Sequence, residues 1–322
     1  KLPFLNFLTD LRLPVYNDPA ALPDLLAYDN RAYGTAVMMP SILVNRLPGV
    51  NLNLSQLLNL RRFYVFLNFW LAGLLFCWTL SLRSNSWLVP VFGFLVYFRT
   101  PRFFAESFYN CKDLIFFSWF LIALSGLAWY QSNRSRLGLV LFAVAFGLAV
   151  NTRYYGAVLG LMLIGLWMAN FAADRADGRK ETVAILLTGI GALLSFYVFT
   201  PLIWELDFGT IIGGFQRIST LPTIGDAELF MGRLVAPRDV WYYIPVWIGI
   251  TIPVLYLVFF FIGSFQTART AIKPAGISTM RKRINRFDAA CLFTLFLVLL
   301  LVIMVKATFY HAWRHTYFLY AL

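Results

Sequence analysis

Long uncharged apolar runs, each closed by a short polar stretch, recur along the chain. Crossing a bilayer takes roughly 20 apolar residues in a helix, because backbone polar groups in hydrocarbon must be satisfied within the segment. Runs of that kind cover Phe63–Leu82, Leu114–Tyr130, Tyr155–Ala173, Val183–Trp204, Trp241–Gly263 and Ala289–Val305. Leu137–Val150 is shorter but uniformly apolar, and Trp87–Phe98 fits as a tilted or partly interfacial helix. The pattern predicts an all-α polytopic membrane protein with about eight transmembrane helices. Residues 1–62 form an outer segment, 63–305 the helix bundle, and 306–322 an outer loop with the start of a further helix. Within the first segment, Leu52, Leu54, Leu57, Leu58 and Leu60 predict an amphipathic helix lying in the interface just before Arg61 and Arg62. The chain opens on Lys1 and stops in an apolar run, so it reads as a fragment of a longer protein.

Composition agrees with this solvent. The 322 residues are 60% hydrophobic and only 13% charged, about half the charged fraction of a soluble domain. A formal charge of +12 in a soluble protein would point to nucleic acid, but membrane proteins collect Lys and Arg in their cytoplasmic loops, and no nucleic-acid partner is expected here. The loops Ser81–Ser86, Gln131–Arg136, Asp174–Glu181 and Ser264–Phe287 carry 12 of the 27 basic residues. The last holds Arg269, Lys273, Arg281, Lys282, Arg283 and Arg286 without an acid, which places this set in the cytoplasm. The opposite, periplasmic set still holds 15 basic residues, more than topology asks for, and an anionic ligand or Arg–Asp pairing within the loops accounts for them. The three cysteines show no CxxC spacing, so neither a disulfide framework nor a thiolate metal site is expected.

The loop most dense in chemistry reads Thr100-Pro-Arg-Phe-Phe-Ala-Glu-Ser-Phe-Tyr-Asn-Cys-Lys-Asp113. It sets Arg102, Glu106, Asn110, Lys112 and Asp113 between two apolar runs. Arg and Lys at an aromatic-rich membrane surface are suited to clamping a phosphate. Asp113 falls at the start of the next helix, where the free amides and the helix dipole favour a carboxylate. His311 and His315 flank Trp313-Arg314, but a pair is too few ligands for a metal, and no metal or cofactor is expected. Arg153 and Arg314 each sit at an outer helix end, where snorkelling alone accounts for an arginine.

At this loop the chain resembles the bacterial family 39-type glycosyltransferases, membrane enzymes of the GT-C fold related to the protein O-mannosyltransferases. Thr-Pro-Arg-Phe-Phe followed by Asn-x-Lys-Asp is similar to their second outer loop. Asn151-Thr-Arg-Tyr-Tyr-Gly156, Trp241-Tyr-Tyr-Ile-Pro-Val-Trp247 and Trp313-Arg-His-Thr-Tyr-Phe318 resemble three further family segments, in the same order. Asp239-Val240 departs from the family's proline before the second of these. The resemblance implies transfer of a sugar from a polyprenyl-phosphate donor to an acceptor (glycan, lipid or protein) on the outer face of the inner membrane. It implies Arg102, Glu106, Asn110, Lys112, Arg153 and Arg314 as substrate-binding residues, with Asp113 and Asp29 as catalytic carboxylates. The family's principal base follows a first helix that lies ahead of residue 1, so the fragment is expected to lack it. A transporter or flippase of an anionic or lipid-linked substrate is the alternative. Such proteins carry ionisable residues within their spans, whereas the main runs here hold none.

Overall fold

The computed structural model describes residues 34–45, 47–84, 86–200, 203–204, 209, 227–272, 279–306 and 312–322. These are almost wholly helical: α1 (Thr35–Asn45), α2 (Leu54–Arg83), α3 (Leu88–Phe98), α4 (Pro101–Glu106), α5 (Asp113–Asn133), α6 (Arg136–Thr152), α7 (Val158–Ala173), α8 (Arg175–Val198), α9 (Tyr243–Thr251), α10 (Val254–Ile272) and α11 (Thr279–Met304). A short hairpin pairs β1 (Glu228–Phe230) with β2 (Arg233–Val235), and a 3-10 segment covers Arg314–Ala321. Five helices among the described residues are long and apolar enough to cross a bilayer, or six spans if the bent pair α9–α10 counts as one. The chain is a multi-pass membrane protein.

The eight runs of the sequence reappear as those five helices, the bent pair and the two short helices α3 and α6. Several boundaries differ. α8 begins at Arg175 and α11 at Thr279, so parts of the loops expected at Asp174–Glu181 and Ser264–Phe287 are helical. Leu54–Leu60 is not a separate interfacial helix but the first two turns of α2, whose start is fixed by a capping box. There Gln56 N–H donates to Asn53 Oδ1 at 3.0 Å, and Asn53 N–H donates to Gln56 Oε1 at 2.9 Å. The run Trp241–Gly263 breaks at Ile252-Pro253, and α9 and α10 diverge by 115°. Proline supplies no N–H to continue the ladder, and its ring disfavours helical backbone before it.

α5 is the centre of the bundle. Only Trp119, Trp129 and Asn133 along it escape full burial, the signature of a helix apolar on every side. Around it pack α2, α6, α11 and the C-terminal 3-10 segment, while α8 closes on α6 and α7. Lipid is as apolar as leucine, so helices in a membrane associate through close backbone approach and interhelical hydrogen bonds. Both devices are present. A methyl group at Gly126 of α5 would meet the Gly138 carbonyl oxygen of α6 at 2.6 Å, and one at Gly138 would meet the Gly126 oxygen at 2.6 Å. Tyr97 of α3 donates its buried hydroxyl to the Phe69 carbonyl of α2 at 2.9 Å, and Ser195 of α8 bonds the Val144 carbonyl of α6 at 3.0 Å.

Helix direction alternates, so the start of α5, the ends of α3 and α6, and the 3-10 segment meet at one end of the bundle, called the site face here. The end of α2, the end of α5, the start of α6 and the start of α11 meet at the other. At that opposite face Arg134 pairs with the buried Glu181. Asn170 donates to Glu181 at 3.2 Å and accepts from Arg286 at 2.8 Å, and Arg283 donates to the Gln131 carbonyl at 3.1 Å.

Candidate functional site

Pro101 at the first turn of α4 presets the helical backbone. Four residues separate Arg102 from Glu106, which puts both on one helix face, and Arg102 Nε lies 3.3 Å from Glu106 Oε1. The chain then turns at Asn110. Its side-chain oxygen accepts from the backbone N–H groups of Lys112 at 3.2 Å and Asp113 at 2.8 Å, an Asx-type turn that starts α5. The sequence argument gave the free amides of α5 to Asp113. In the structure Asn110 takes the first of them, the Asp113 N–H, and the Asp113 carboxylate turns elsewhere.

It turns to two arginines. Arg153, at the C-terminal cap of α6, donates through Nη2 to Asp113 Oδ1. Arg314, at the start of the 3-10 segment, places Nε 2.8 Å from Asp113 Oδ2 as an ion pair whose N–H is not aimed along the contact. Asp113 is 3% exposed. Asn110 joins the two carboxylates, its Nδ2 lying 2.5 Å from Glu106 Oε2 and 3.4 Å from Asp113 Oδ2. The Tyr317 hydroxyl donates to Glu106 Oε1 at 2.6 Å, and the Arg102 guanidinium sits 5.3 Å over the Tyr317 ring. Burial first, then the Glu106 carboxylate, push the Tyr317 phenol up from its ordinary value and keep it a donor.

Arg102, Glu106, Asn110, Asp113, Arg153 and Arg314, drawn from three separate stretches of sequence, thus form one connected network. Lys112 is exposed at its edge and enters it through its backbone N–H. Asp29 and His311 lie outside the described residues. His315 is buried beside the network, and among the described residues no group of three His, Cys, Asp or Glu side chains converges. Three guanidiniums face two carboxylates, and Arg153 Nε is buried with no hydrogen-bond partner among the described residues. A buried donor in that position has a reason to meet an anion.

The network borders an apolar cavity. The cavity, of about 880 Å³, lies between α2, α3, α5, α9, α10, α11 and the 3-10 segment. The 3-10 segment divides the two: Arg314 and Tyr317 hold the carboxylates, while Leu319, Tyr320 and the preceding Trp313 line the cavity. Trp313 Nε1 bonds Thr251 Oγ1 at 2.8 Å, fastening the cavity wall to the broken end of α9. Tyr320 and Thr100 hydroxyls meet at 3.1 Å where α3 gives way to α4.

Comparison with known proteins identifies no relative. No protein-family model, no curated protein and no solved structure matches the chain.

Sequence reasoning missed Tyr317, Tyr320 and Asn151. Tyr317 stood inside a quoted segment without a role, and nothing local marks it as the partner of a carboxylate 211 positions earlier. Asn151 organises the scaffold behind Arg153. Its Oδ1 accepts from Ala36 N–H at 2.9 Å, and its Nδ2 lies within 2.9 Å of Thr35 Oγ1, the Phe199 carbonyl and Thr200 Oγ1. One buried amide clasps α1, the end of α6 and the end of α8.

Proposed function

We propose that this chain is an integral membrane glycosyltransferase of GT-C type, with about eight spans in the inner membrane and its site face periplasmic. It moves a sugar from a polyprenyl-phosphate donor to an acceptor hydroxyl. The observation that carries this reading is the junction of a buried, cation-rich network with a large apolar cavity, since a lipid phosphate has both parts. The isoprenoid chain occupies the cavity, and the phosphate meets Arg153 and Arg314 across the 3-10 segment, with Arg102 and Lys112 at the rim.

The reaction is displacement at the anomeric carbon. The acceptor O–H bond breaks and its proton passes to a carboxylate. The oxygen attacks the sugar carbon, and the bond from that carbon to the phosphate oxygen breaks, the electron pair leaving with the phosphate. Guanidiniums fixed beforehand stabilise that developing charge. Asp113, tied to both arginines, positions them and does not take the proton. The transporter reading is weaker, because the break between α9 and α10 is explained by Pro253 and the one hydroxyl there, Thr251, is engaged by Trp313.

The test is binding of polyprenyl phosphate and polyprenyl alcohol to the purified chain in nanodiscs. The phosphate should bind more tightly than the alcohol, and Arg153→Ala or Arg314→Ala should each weaken it about tenfold or more, the worth of a charge-assisted hydrogen bond. Arg136→Ala, on the opposite face, should leave affinity unchanged. Equal affinity for phosphate and alcohol, or folded arginine variants that bind as well as the parent, would overturn the reading.

A further inference from the structure

A second pocket, of about 280 Å³, opens toward the opposite face between α2, α5, α10 and α11, with Ala321 and Leu322 also in its wall. Its charged wall is Arg83 at the end of α2 and Asp288 in α11. The guanidinium Nη2 lies 2.5 Å from one carboxylate oxygen and 2.6 Å from the other. Asp288 stands nine residues into α11, at the opposite-face end of the span just before the apolar run Ala289–Val305. Both side chains keep part of their surface open, 24% for Arg83 and 30% for Asp288. Thr79, Ser125, Ser264 and Thr267 supply hydroxyls to the same pocket. Thr79 is committed to the Leu75 carbonyl, whereas Ser264 Oγ is buried with no hydrogen-bond partner among the described residues. An unpaired buried hydroxyl is costly and calls for a polar visitor.

The pocket does not end at these groups. Phe76, Leu80, Leu121, Phe259 and Phe260 line both it and the 880 Å³ cavity, so the polar wall opens directly into apolar space. The ligand must therefore be an amphiphile with a long chain. Its head must suit a neighbouring cation and anion rather than a cation alone. A purely anionic head gains Arg83 but meets Asp288, while a head with one phosphate and one ammonium matches both.

We propose that this pocket binds a zwitterionic phospholipid of the adjoining leaflet. Its phosphate lies on Arg83, its ammonium on Asp288, Ser264 donates to a head-group oxygen, and one chain runs into the apolar cavity. The head-group site lies at the opposite end of the bundle from the Asp113 network, and the two readings meet only in the apolar cavity, where the two lipid chains would compete.

Native mass spectrometry of the purified chain, presented with equal phosphatidylethanolamine and phosphatidylglycerol, tests it. The parent should retain phosphatidylethanolamine preferentially. Ser264→Phe fills the pocket without touching the ion pair and should cut that retention about tenfold, while Leu193→Phe, on the lipid-facing surface of α8, should not. Asp288→Asn removes only the anion and should turn the preference toward phosphatidylglycerol, a reversal that a merely structural ion pair would not produce. No head-group preference in the parent, equal retention by Ser264→Phe, or an unchanged preference in folded Asp288→Asn would each overturn the assignment.

Discussion

A residue's worth in this protein depends on how many elements meet at it. Asn151 is 1% exposed and joins three helix ends through one amide. Replacing it with Ala strands the Ala36 N–H and removes one donor each from the Thr35 and Thr200 hydroxyls and from the Phe199 carbonyl, which keeps the Thr35 hydroxyl. Each buried group left unpaired costs about 1–3 kcal/mol. We expect Asn151→Ala to lose about 3 kcal/mol, with the start of α1 detaching first, seen as faster proteolysis near Thr35. Unchanged thermal unfolding and unchanged proteolysis would remove the clasp from the account. Asp113 behaves differently, because its partners are charged. Asp113→Ala leaves two guanidiniums facing each other and should destabilise by about 3 kcal/mol, the scale for breaking a buried ion pair. Arg153→Ala in that background should then cost less than it does alone, a coupling that a double-mutant cycle reads directly. Additive losses would show that Asp113 and Arg153 act separately. The sequence marked Asp113 by residue type and loop position, and Arg153 and Arg314 only through the resemblance. It did not mark their mutual contact, which spans 40 positions between Asp113 and Arg153. Local pattern carries no information about pairs so far apart.

At the scale of elements the apolar runs were read with little loss, because membrane helices must be long and apolar whatever they pack against. What escaped was shape within a run. Trp241–Gly263 is continuous in hydrophobicity, and only Pro253 records that it is two helices at a steep angle. The extension of α2 back to Leu54 was likewise written in four residues, the Asn53-x-x-Gln56 box, and hidden by the leucines around it. Glycine carries the other unread instruction. Gly126 and Gly138 let α5 and α6 approach until backbone touches backbone, which explains why a helix as short as α6 can pack beside the central one. A side chain at either position has nowhere to go, since the obstructing atoms are main-chain oxygen and nitrogen. Gly138→Val should therefore separate α5 from α6 and reduce folded yield severely. Gly165→Val, on α7 with nothing within 4 Å of the added carbon, should be tolerated. Comparing the two by fluorescence-detected size exclusion checks this. Equal monodispersity would mean that the close approach does not hold the bundle together.

The whole molecule is organised by which cations are spoken for. At the opposite face some are engaged in structure, as Arg134, Arg283 and Arg286 are, while Arg136, Arg269 and Lys282 are exposed at a bundle end with few acids. Exposed cations flanking membrane spans set orientation during insertion, and the proposed topology follows from them, with this end cytoplasmic and the site face outside. The site face also carries Phe104, Phe108, Tyr109 and Trp241 in exposed positions, an aromatic rim suited to the head-group layer. The prediction is made in a background with Cys77, Cys111 and Cys291 replaced. Cysteine at Tyr109 should react with a membrane-impermeant maleimide in intact cells, and cysteine at Arg136 should react only after the cells are opened. Both positions are exposed, so neither result is limited by burial. The reverse pattern would place the Asp113 network on the cytoplasmic side. A donor displayed on the outer leaflet would then be on the wrong side of the bilayer, and the proposed transfer would fall even if Arg153 and Arg314 bound phosphate, because the cation network would face the wrong compartment.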